Sequence, residues 1–243
     1  MQNILLLQAR LTDDPMLAHE HLCVATQADL PLENLLTHNL IHGPPDDTLI
    51  ADCAGVVLGG SGAFYASAGD MPHFEVYMDW LRQCVASNLP TLGICYGHHC
   101  LARALGSEIF HGPEHAEVGS YWLDTCPPAA DDALFDSMPQ RFAAQLGHKD
   151  HLRALPDNTT WLAQTKASPF QAFKVIDAPV WGVQFHPELT DKDNRQRFLF
   201  YVDYAKAVES SEDSGERLPD FVPSPEANLL LSRFRKYAMS KPQ

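Results

Sequence analysis

The stretch Thr91-Leu-Gly-Ile-Cys-Tyr-Gly-His-His-Cys-Leu-Ala-Arg-Ala-Leu-Gly106 joins a short apolar, β-prone run to a segment with helical spacing of its apolar residues. This is the layout of a nucleophile elbow, a sharp strand-to-helix turn with a reactive side chain at its tip. Gly93 and Gly97 stand two residues to either side of Cys95, where a tight turn crowds side chains. Unpaired N–H groups and the positive end of the helix dipole favour a thiolate there. The stretch therefore predicts a cysteine that attacks a carbonyl carbon.

A second segment, Val180-Trp-Gly-Val-Gln-Phe-His-Pro-Glu-Leu189, supplies partners for such a cysteine. Its apolar strand ends at His186, Pro187 stops the strand ladder, and Glu188 follows. A nucleophilic cysteine needs a base, and the base needs a third group to fix its tautomer and orientation. Taken separately, each motif has a plainer interpretation, because a free cysteine is often a buried apolar residue and His-Pro-Glu is often only a turn. Together they predict a Cys-His-Glu catalytic triad.

Composition sets limits on the class of protein. The chain has 243 residues, of which 45% are hydrophobic, enough for one α/β domain with a large core. Its formal net charge of −14 argues against binding to nucleic acid or anionic membranes, which require positive charge on the protein. Without paired cysteine spacing, a signal peptide or an apolar run of 18 residues, the chain is expected to be cytoplasmic, with free thiols at Cys23, Cys53, Cys84, Cys95, Cys100 and Cys126.

Hydrophobic patterning predicts alternating strands and helices, followed by hairpin-like strands. Helices are expected at about 14–28, 74–86, 195–208 and 225–239. Strands are expected at about 4–7, 55–58, 108–110, 118–123, 142–146, 161–164, 171–175 and 180–185. Glu209–Glu216 is acidic and predicts an exposed loop. We expect one domain over residues 1–243, of α/β class, with a mostly parallel central sheet flanked by helices and additional antiparallel strands.

The segments Gly93–His98 and Phe185–Glu188 resemble those of the class I glutamine amidotransferase family. Val56–Gly62 resembles the family's glycine-rich loop after an early strand, and Gly147–Asp150 resembles a substrate-side segment of its GMP-synthetase-like branch. Further segments are similar to the free-standing bacterial members of that branch, namely Asp14–Met16, His19-Glu20 and Glu117–Gly119. The resemblance implies the family's flavodoxin-like fold.

The resemblance also implies roles for individual residues. Cys95 is expected to be the nucleophile, His186 the general acid and base, and Glu188 the group that orients His186. The backbone N–H groups of Gly60 and Tyr96 are expected to form the oxyanion hole. A γ-glutamyl thioester would form on the sulfur and then be hydrolysed by water.

Substrate contacts are expected at His99, Lys149 and Asp150. Members of the family commonly carry glutamine at the position of His99, where in some branches the amide contacts bound glutamine. A purely packing role for His99 on the elbow helix is the alternative. The segment 147–150 is expected to bind the substrate's α-carboxylate mainly through backbone N–H groups.

No metal or other cofactor is predicted. His98, His99 and Cys100 are adjacent on a helix, so their side chains diverge by about 100° from one residue to the next and cannot converge on one ion. The loop Gly59–Gly62 lacks the Lys-Ser/Thr pair with which a P-loop binds phosphate and magnesium. The chemistry is therefore expected to come from side chains and backbone alone.

Three functions remain open. The first is a glutaminase of the amidotransferase type that acts on a small γ-glutamyl substrate and passes ammonia to a separate synthetase. The second is a stand-alone γ-glutamyl peptidase or amidase, which would use the same triad on a substrate other than glutamine. The third is a non-enzymatic binding module on the same fold. No nucleic acid or membrane partner is expected.

Overall fold

The computed structural model describes residues 3–112, 115–209 and 219–241, with the backbone alone for 202–209. Its strands are β1 (Asn3–Gln8), β2 (Leu35–Asn39), β3 (Cys53–Leu58), β4 (Thr91–Ile94), β5 (Ile109–His111), β6 (Glu117–Thr125), β7 (Arg141–His148), β8 (Asp150–Leu152), β9 (Thr159–Gln164), β10 (Ala172–Val175) and β11 (Val180–Val183). Its helices are α1 (Met16–Ala28), α2 (Asp47–Ala51), α3 (Phe74–Ala86), α4 (Tyr96–Ala104), α5 (Asp191–Glu209) and α6 (Pro225–Met239).

Nine of these strands form one mixed sheet, in the order β2-β1-β3-β4-β11-β10-β9-β6-β7. The half from β2 to β11 is parallel, and the half from β11 to β7 is antiparallel. Every residue of β3, β4 and β11 is buried, as expected of parallel strands covered by helices on both faces. The expected α/β class, with a mostly parallel centre and additional antiparallel strands, is confirmed.

Helices cover the two faces of the sheet and create two apolar cores. One core contains residues of α1 and α6, whose Tyr237 ring lies 5.0 Å from that of the fully buried Trp181 on β11. The other contains residues of α3 and α4, including Tyr77, Leu81 and Leu101. The sheet is therefore held rigid from both sides at β4 and β11.

The strand register decides which loops meet. Leu58 of β3 lies beside Gly93 of β4, and Ile94 of β4 lies beside Val183 of β11. These three strands are parallel, so their carboxyl ends open onto the same edge of the sheet. The Gly59–Gly62 loop, the elbow and the His186 segment all begin at that edge.

The predicted helices at 74–86 and 225–239 are observed with those bounds, and α1 and α5 lie where helices were expected. Three short elements, β2, β8 and α2, were not predicted. The predicted acidic loop is in part wrong, because Glu209 ends α5, and the rest of it lies outside the described residues. Within the described ranges, none of the helices is both long and apolar enough to cross a membrane.

Candidate active site

Cys95 occupies the predicted strand-to-helix turn. Its backbone has φ 52° and ψ −100°, a positive-φ conformation that is uncommon for a residue with a side chain. A Cβ on Gly97 would lie 2.5 Å from the Leu58 carbonyl oxygen, and one on Gly93 would lie 2.6 Å from that of Gly97. Because neither position admits a side chain, the two glycines allow the elbow to form. The Cys95 N–H donates to the carbonyl of Val183 at 2.8 Å, which ties the turn to β11.

His186 lies between Cys95 and Glu188. Its Nδ1 is 2.7 Å from the Glu188 Oε1, and its ring lines the same cavity as Cys95. Nδ1 is committed to the carboxylate, so Nε2 is the nitrogen left to exchange a proton with sulfur. Burial lowers the pKa of His186, but Glu188 and Cys95 raise it more, to about 9. The arrangement favours an imidazolium beside the sulfur.

Arg197, on α5, is a fourth member of this chain of contacts and was not predicted. Its Nη1 donates to the Glu188 Oε1 at 3.0 Å, the same oxygen that faces His186. Burial raises the pKa of Glu188, but His186 and Arg197 lower it more, to about 2. Nothing in the local sequence signals this contact, because it depends on how the start of α5 packs against the loop after β11.

These pKa values predict how stability varies with pH. The pKa of His186 rises on folding from 6.5 to about 9, so its contribution to stability is complete below pH 6.5 and is lost as the pH rises through about 9. The pKa of Glu188 falls from 4.5 to about 2, so its contribution is complete above pH 4.5 and is lost as the pH falls through about 2.

Thermal unfolding of the wild type and of His186→Asn between about pH 6 and pH 10 checks this. The excess stability of the wild type over the variant should shrink as the pH rises from 6.5 to about 9. An excess that stays constant over that range would mean that His186 is not protonated in the folded protein.

Beside the elbow lies a cavity of about 410 Å³. This is within the size range of small-molecule sites, about 300–1,000 Å³. Six of the residues predicted to act at the site lie on its wall, namely Cys95, Tyr96, His99, Lys149, Asp150 and His186. Gly60 is next to them, because a Cβ on Gly60 would lie 3.0 Å from the His186 Cε1. The structure thus brings residues from separate segments of the chain to one cavity.

His99 is 3% exposed, and its Nε2 lies 2.5 Å from the Gln184 Oε1. Burial lowers the pKa of His99 to about 3, so the ring is neutral at physiological pH. A neutral ring that donates from Nε2 to an amide oxygen keeps Nδ1 as an acceptor. His99 can therefore accept a hydrogen bond, but it offers no charge to a substrate.

The two predicted contacts on the 147–150 segment differ in their surroundings. The Asp150 carboxylate accepts from the Ser67 N–H at 2.9 Å and hydroxyl at 2.8 Å, and it pairs with the His111 Nδ1 at 2.9 Å. These bonds hold the loop that contains Ser67 against β8. Lys149 lies on the cavity wall. Contact of either side chain with substrate stays a prediction.

The two N–H groups expected to form the oxyanion hole differ in their hydrogen bonding. Tyr96 is the first residue of α4, so its N–H has no acceptor within the helix. The Gly60 N–H instead donates to the Glu20 Oε1 at 3.1 Å. On its own, the run His19-Glu20-His21 predicts the polar side of the first helix, and for Glu20 that prediction is wrong, because the side chain is fully buried and bonded to Arg10.

Outside the cavity, the ligand atoms of His19, Cys23 and Asp193 lie within 4.8 Å of one another. Burial and the positive charge of Arg197 lower the pKa of His19, and that charge also opposes a bound cation. The other carboxylate oxygen of Asp193 accepts from the Thr190 N–H at 3.0 Å and caps α5. The three side chains are accounted for by packing and capping.

Comparisons with known proteins bear on the family and the fold of the chain. Residues 41–203 match the family model "Glutamine amidotransferase class-I". Over 128 residues the chain is 34% identical to a glutamine-hydrolysing GMP synthase subunit from Methanococcus aeolicus. That alignment covers 53% of this chain and 66% of the relative, just under two thirds of its length. The corresponding protein of Methanothermobacter thermautotrophicus is 31% identical over 146 residues, which cover 60% of this chain and 71% of the length of that protein. A glutamine amidotransferase from Thermotoga maritima has the same fold, with a TM-score of 0.71, 18% identity and coverage of 99% and 100%.

Proposed function

Because this chain belongs to the glutamine amidotransferase class-I family, we propose that it hydrolyses the side-chain amide of glutamine, with Cys95, His186 and Glu188 as its catalytic triad. One observation carries the proposal. Cys95 and His186 line one cavity, where a Cβ on Gly60 would lie 3.0 Å from the His186 Cε1 and 3.9 Å from the Cys95 Cβ. The Nδ1 of His186 is 2.7 Å from the Glu188 carboxylate. This is the order of groups that a cysteine nucleophile, its base and the base's orienting group require.

The reaction proceeds in two halves. The Cys95 sulfur attacks the γ-carbonyl carbon, and His186 gives its proton to the departing ammonia, which leaves a γ-glutamyl thioester. His186 then takes a proton from water, and the resulting hydroxide attacks the thioester and releases glutamate. Glu188 and Arg197 do not exchange protons in either half, because their contacts keep the carboxylate ionised.

In both halves the carbonyl oxygen becomes an oxyanion that needs hydrogen-bond donors. We assign the backbone N–H groups of Tyr96 and Gly60 to this role, as the first turn of α4 and the loop after β3 flank Cys95. One such donor is typically worth about 10²–10³ in kcat.

Substrate binding is assigned to the opposite wall of the cavity. His148 is held by Glu117, 3.0 Å from its Nε2, and this contact fixes the backbone of the Gly147–Asp150 segment. We propose that backbone N–H groups of this segment bind the α-carboxylate, and that Nδ1 of His99 accepts from the α-ammonium. A neutral His99 suits that contact, since a charged imidazole would repel it.

The proposal includes a partner. The two archaeal relatives are named as subunits of a glutamine-hydrolysing GMP synthase, which supports a separate synthetase that receives the ammonia. The alignment with the Methanococcus relative covers 66% of that protein.

The shape of the cavity favours a second candidate function. Besides Tyr96, four aromatic residues line this cavity of about 410 Å³, namely Phe64, Tyr65, Phe198 and Tyr201. Ammonia needs none of that apolar surface, whereas a larger amine would bury against it. A γ-glutamyl peptidase or amidase would use the same triad and place its leaving amine there.

A substrate comparison separates the two candidates. The purified chain is assayed for ammonia from glutamine and for amine release from γ-glutamyl dipeptides, glutathione and γ-glutamyl anilides, with Cys95→Ala as the blank. A higher kcat/KM on glutamine supports the glutaminase, and a higher value on a γ-glutamyl amide with a bulky amine supports the peptidase. If a diazoketone analogue of glutamine fails to label Cys95 and no substrate is cleaved, both are wrong and a binding module remains.

Arg197→Met tests the unpredicted member of the site. Losing one charge-assisted hydrogen bond to Glu188 should lower kcat by about tenfold to a hundredfold with little change in KM, because Arg197 acts on the base through Glu188. Arg197→Lys, which keeps the charge, should recover part of the loss. Steady-state kinetics on both variants checks this, and an unchanged kcat in Arg197→Met would remove Arg197 from the mechanism.

A further inference from the structure

We infer that Glu20 competes with the reaction's oxyanion for the N–H of Gly60, so that the resting enzyme holds one of its two oxyanion donors out of use. The inference rests on the proposed function. It assigns to Glu20 a positioning role, exerted through the backbone of Gly60, that can be tested separately from the triad.

The contact is built into the fold. Glu20, on α1, is fully buried, and its Oε1 accepts the Gly60 N–H at 3.1 Å. A Cβ on Gly59 would lie 2.8 Å from the same oxygen, so only a glycine there lets the carboxylate lie against the loop. The carboxylate therefore lies against the loop because Gly59 has no side chain.

Arg10 keeps this acceptor charged. Its Nε donates to the Glu20 Oε2 at 2.9 Å, and its Nη2 donates to Oε1 at 3.0 Å. Burial raises the pKa of Glu20, but the charge of Arg10 lowers it more, so the carboxylate stays ionised. An ionised acceptor holds an N–H more strongly than a neutral one. Arg10 is itself fixed, since its Nη1 donates to the Tyr201 hydroxyl at 2.6 Å.

Gly60 lies at the catalytic pair. A Cβ added to it would be 3.0 Å from the His186 Cε1 and 3.9 Å from the Cys95 Cβ. One N–H makes only one strong hydrogen bond, so the bond to Glu20 must weaken before an oxyanion on the substrate can be held there. When the Gly60 N–H leaves Glu20 for the oxyanion, Arg10 stays bonded to the Glu20 carboxylate. The carboxylate therefore does not become an unpaired buried charge.

The first test is Glu20→Gln. An amide oxygen is a weaker, neutral acceptor, so the Gly60 N–H is released more easily, and kcat for the best substrate should rise by about tenfold with KM unchanged. The matched control is Asp14→Asn, which alters another carboxylate beside Arg10, at 3.4 Å, but one with no bond to Gly60. Asp14→Asn should leave kcat as in the wild type. A purely structural Glu20 would give an equal or lower kcat in a folded Glu20→Gln protein, and that result would overturn the inference.

A second measurement does not need turnover. In the nuclear magnetic resonance spectrum, the Gly60 amide proton of the wild type should be shifted downfield by the carboxylate, and Glu20→Gln should move it upfield, while Asp14→Asn should not. If the amide moves as expected but no γ-glutamyl compound is hydrolysed, the contact stands and the proposed function fails. If glutamine is hydrolysed but neither kcat nor the amide responds, only this inference fails. If Glu20→Gln does not fold, the double variant Arg10→Met with Glu20→Met takes its place. It removes both buried charges together, and kcat and the Gly60 amide shift are measured on it in the same way.

Discussion

Cys95→Ala will reduce hydrolysis of any γ-glutamyl substrate to the level of the blank while the protein remains folded. Removing the nucleophile of a triad costs about 10⁶ in kcat in comparable enzymes, since the other members have no bond to make or break without it. The substitution deletes one sulfur atom from a side chain that is 6% exposed, and alanine meets the same positive-φ backbone that cysteine already occupies. Steady-state assays at saturating substrate, together with circular dichroism and thermal unfolding, measure both halves of the prediction.

The matched control for this variant is Cys100→Ala. Cys100 lies further along α4, is fully buried and free, and burial raises its pKa well above the usual range. It carries a free thiol in the helix that Cys95 precedes, but it has no part in the proposed triad, so Cys100→Ala should keep its kcat. Turnover that survives in Cys95→Ala, or that is lost equally in Cys100→Ala, would contradict the assignment of the nucleophile.

Glu188→Gln is expected to have two large and separable effects. Without the carboxylate, His186 loses the acceptor at 2.7 Å that fixes its tautomer, and kcat should fall by about 10³–10⁴, as when the third triad member is replaced by an amide. The same change leaves the buried guanidinium of Arg197 without its ionic partner, which should lower the free energy of unfolding by about 3–5 kcal/mol. Kinetics and denaturant unfolding measure the two effects independently.

The double variant Glu188→Gln with Arg197→Met tells the two effects apart. Removing the stranded guanidinium should restore part of the stability that Glu188→Gln loses, because no unpaired buried charge remains. Activity should not return, since the tautomer of His186 is still unconstrained. Recovery of kcat along with stability would instead mean that Glu188 serves folding alone.

Much of the candidate site could be predicted, because the positions of its residues depend on short patterns in the sequence. The spacing of Gly93, Cys95 and Gly97 predicted a turn that the structure reproduces, with close approaches of 2.5 Å and 2.6 Å at the two glycines. The pattern from Val180 to Glu188 predicted a strand with a histidine and a carboxylate just beyond its end, and the two groups do meet. Local patterns succeed here because steric limits and side-chain chemistry act between residues only a few positions apart.

The short elements could not be predicted in the same way. β2 (Leu35–Asn39) is a half-exposed strand that starts with two leucines and ends in polar residues, so it has no clear alternation. β8 (Asp150–Leu152) has three residues, too few for any periodicity. Both exist because a neighbouring strand offers them hydrogen bonds, β1 to the first and β5 to the second.

By itself, the sequence determined the elbow and the α/β class of the fold and predicted the reacting atoms, because each follows from the types and spacing of nearby residues. Only the tertiary structure decided that Arg197 hydrogen-bonds Glu188 and that Glu20, far from Gly60 in the chain, accepts a hydrogen bond from the Gly60 N–H. Those contacts depend on the register of β3, β4 and β11 and on how α1 and α5 pack around their ends. A buried charge is stable only where the whole fold brings it a partner, and no local pattern in the chain encodes that partner.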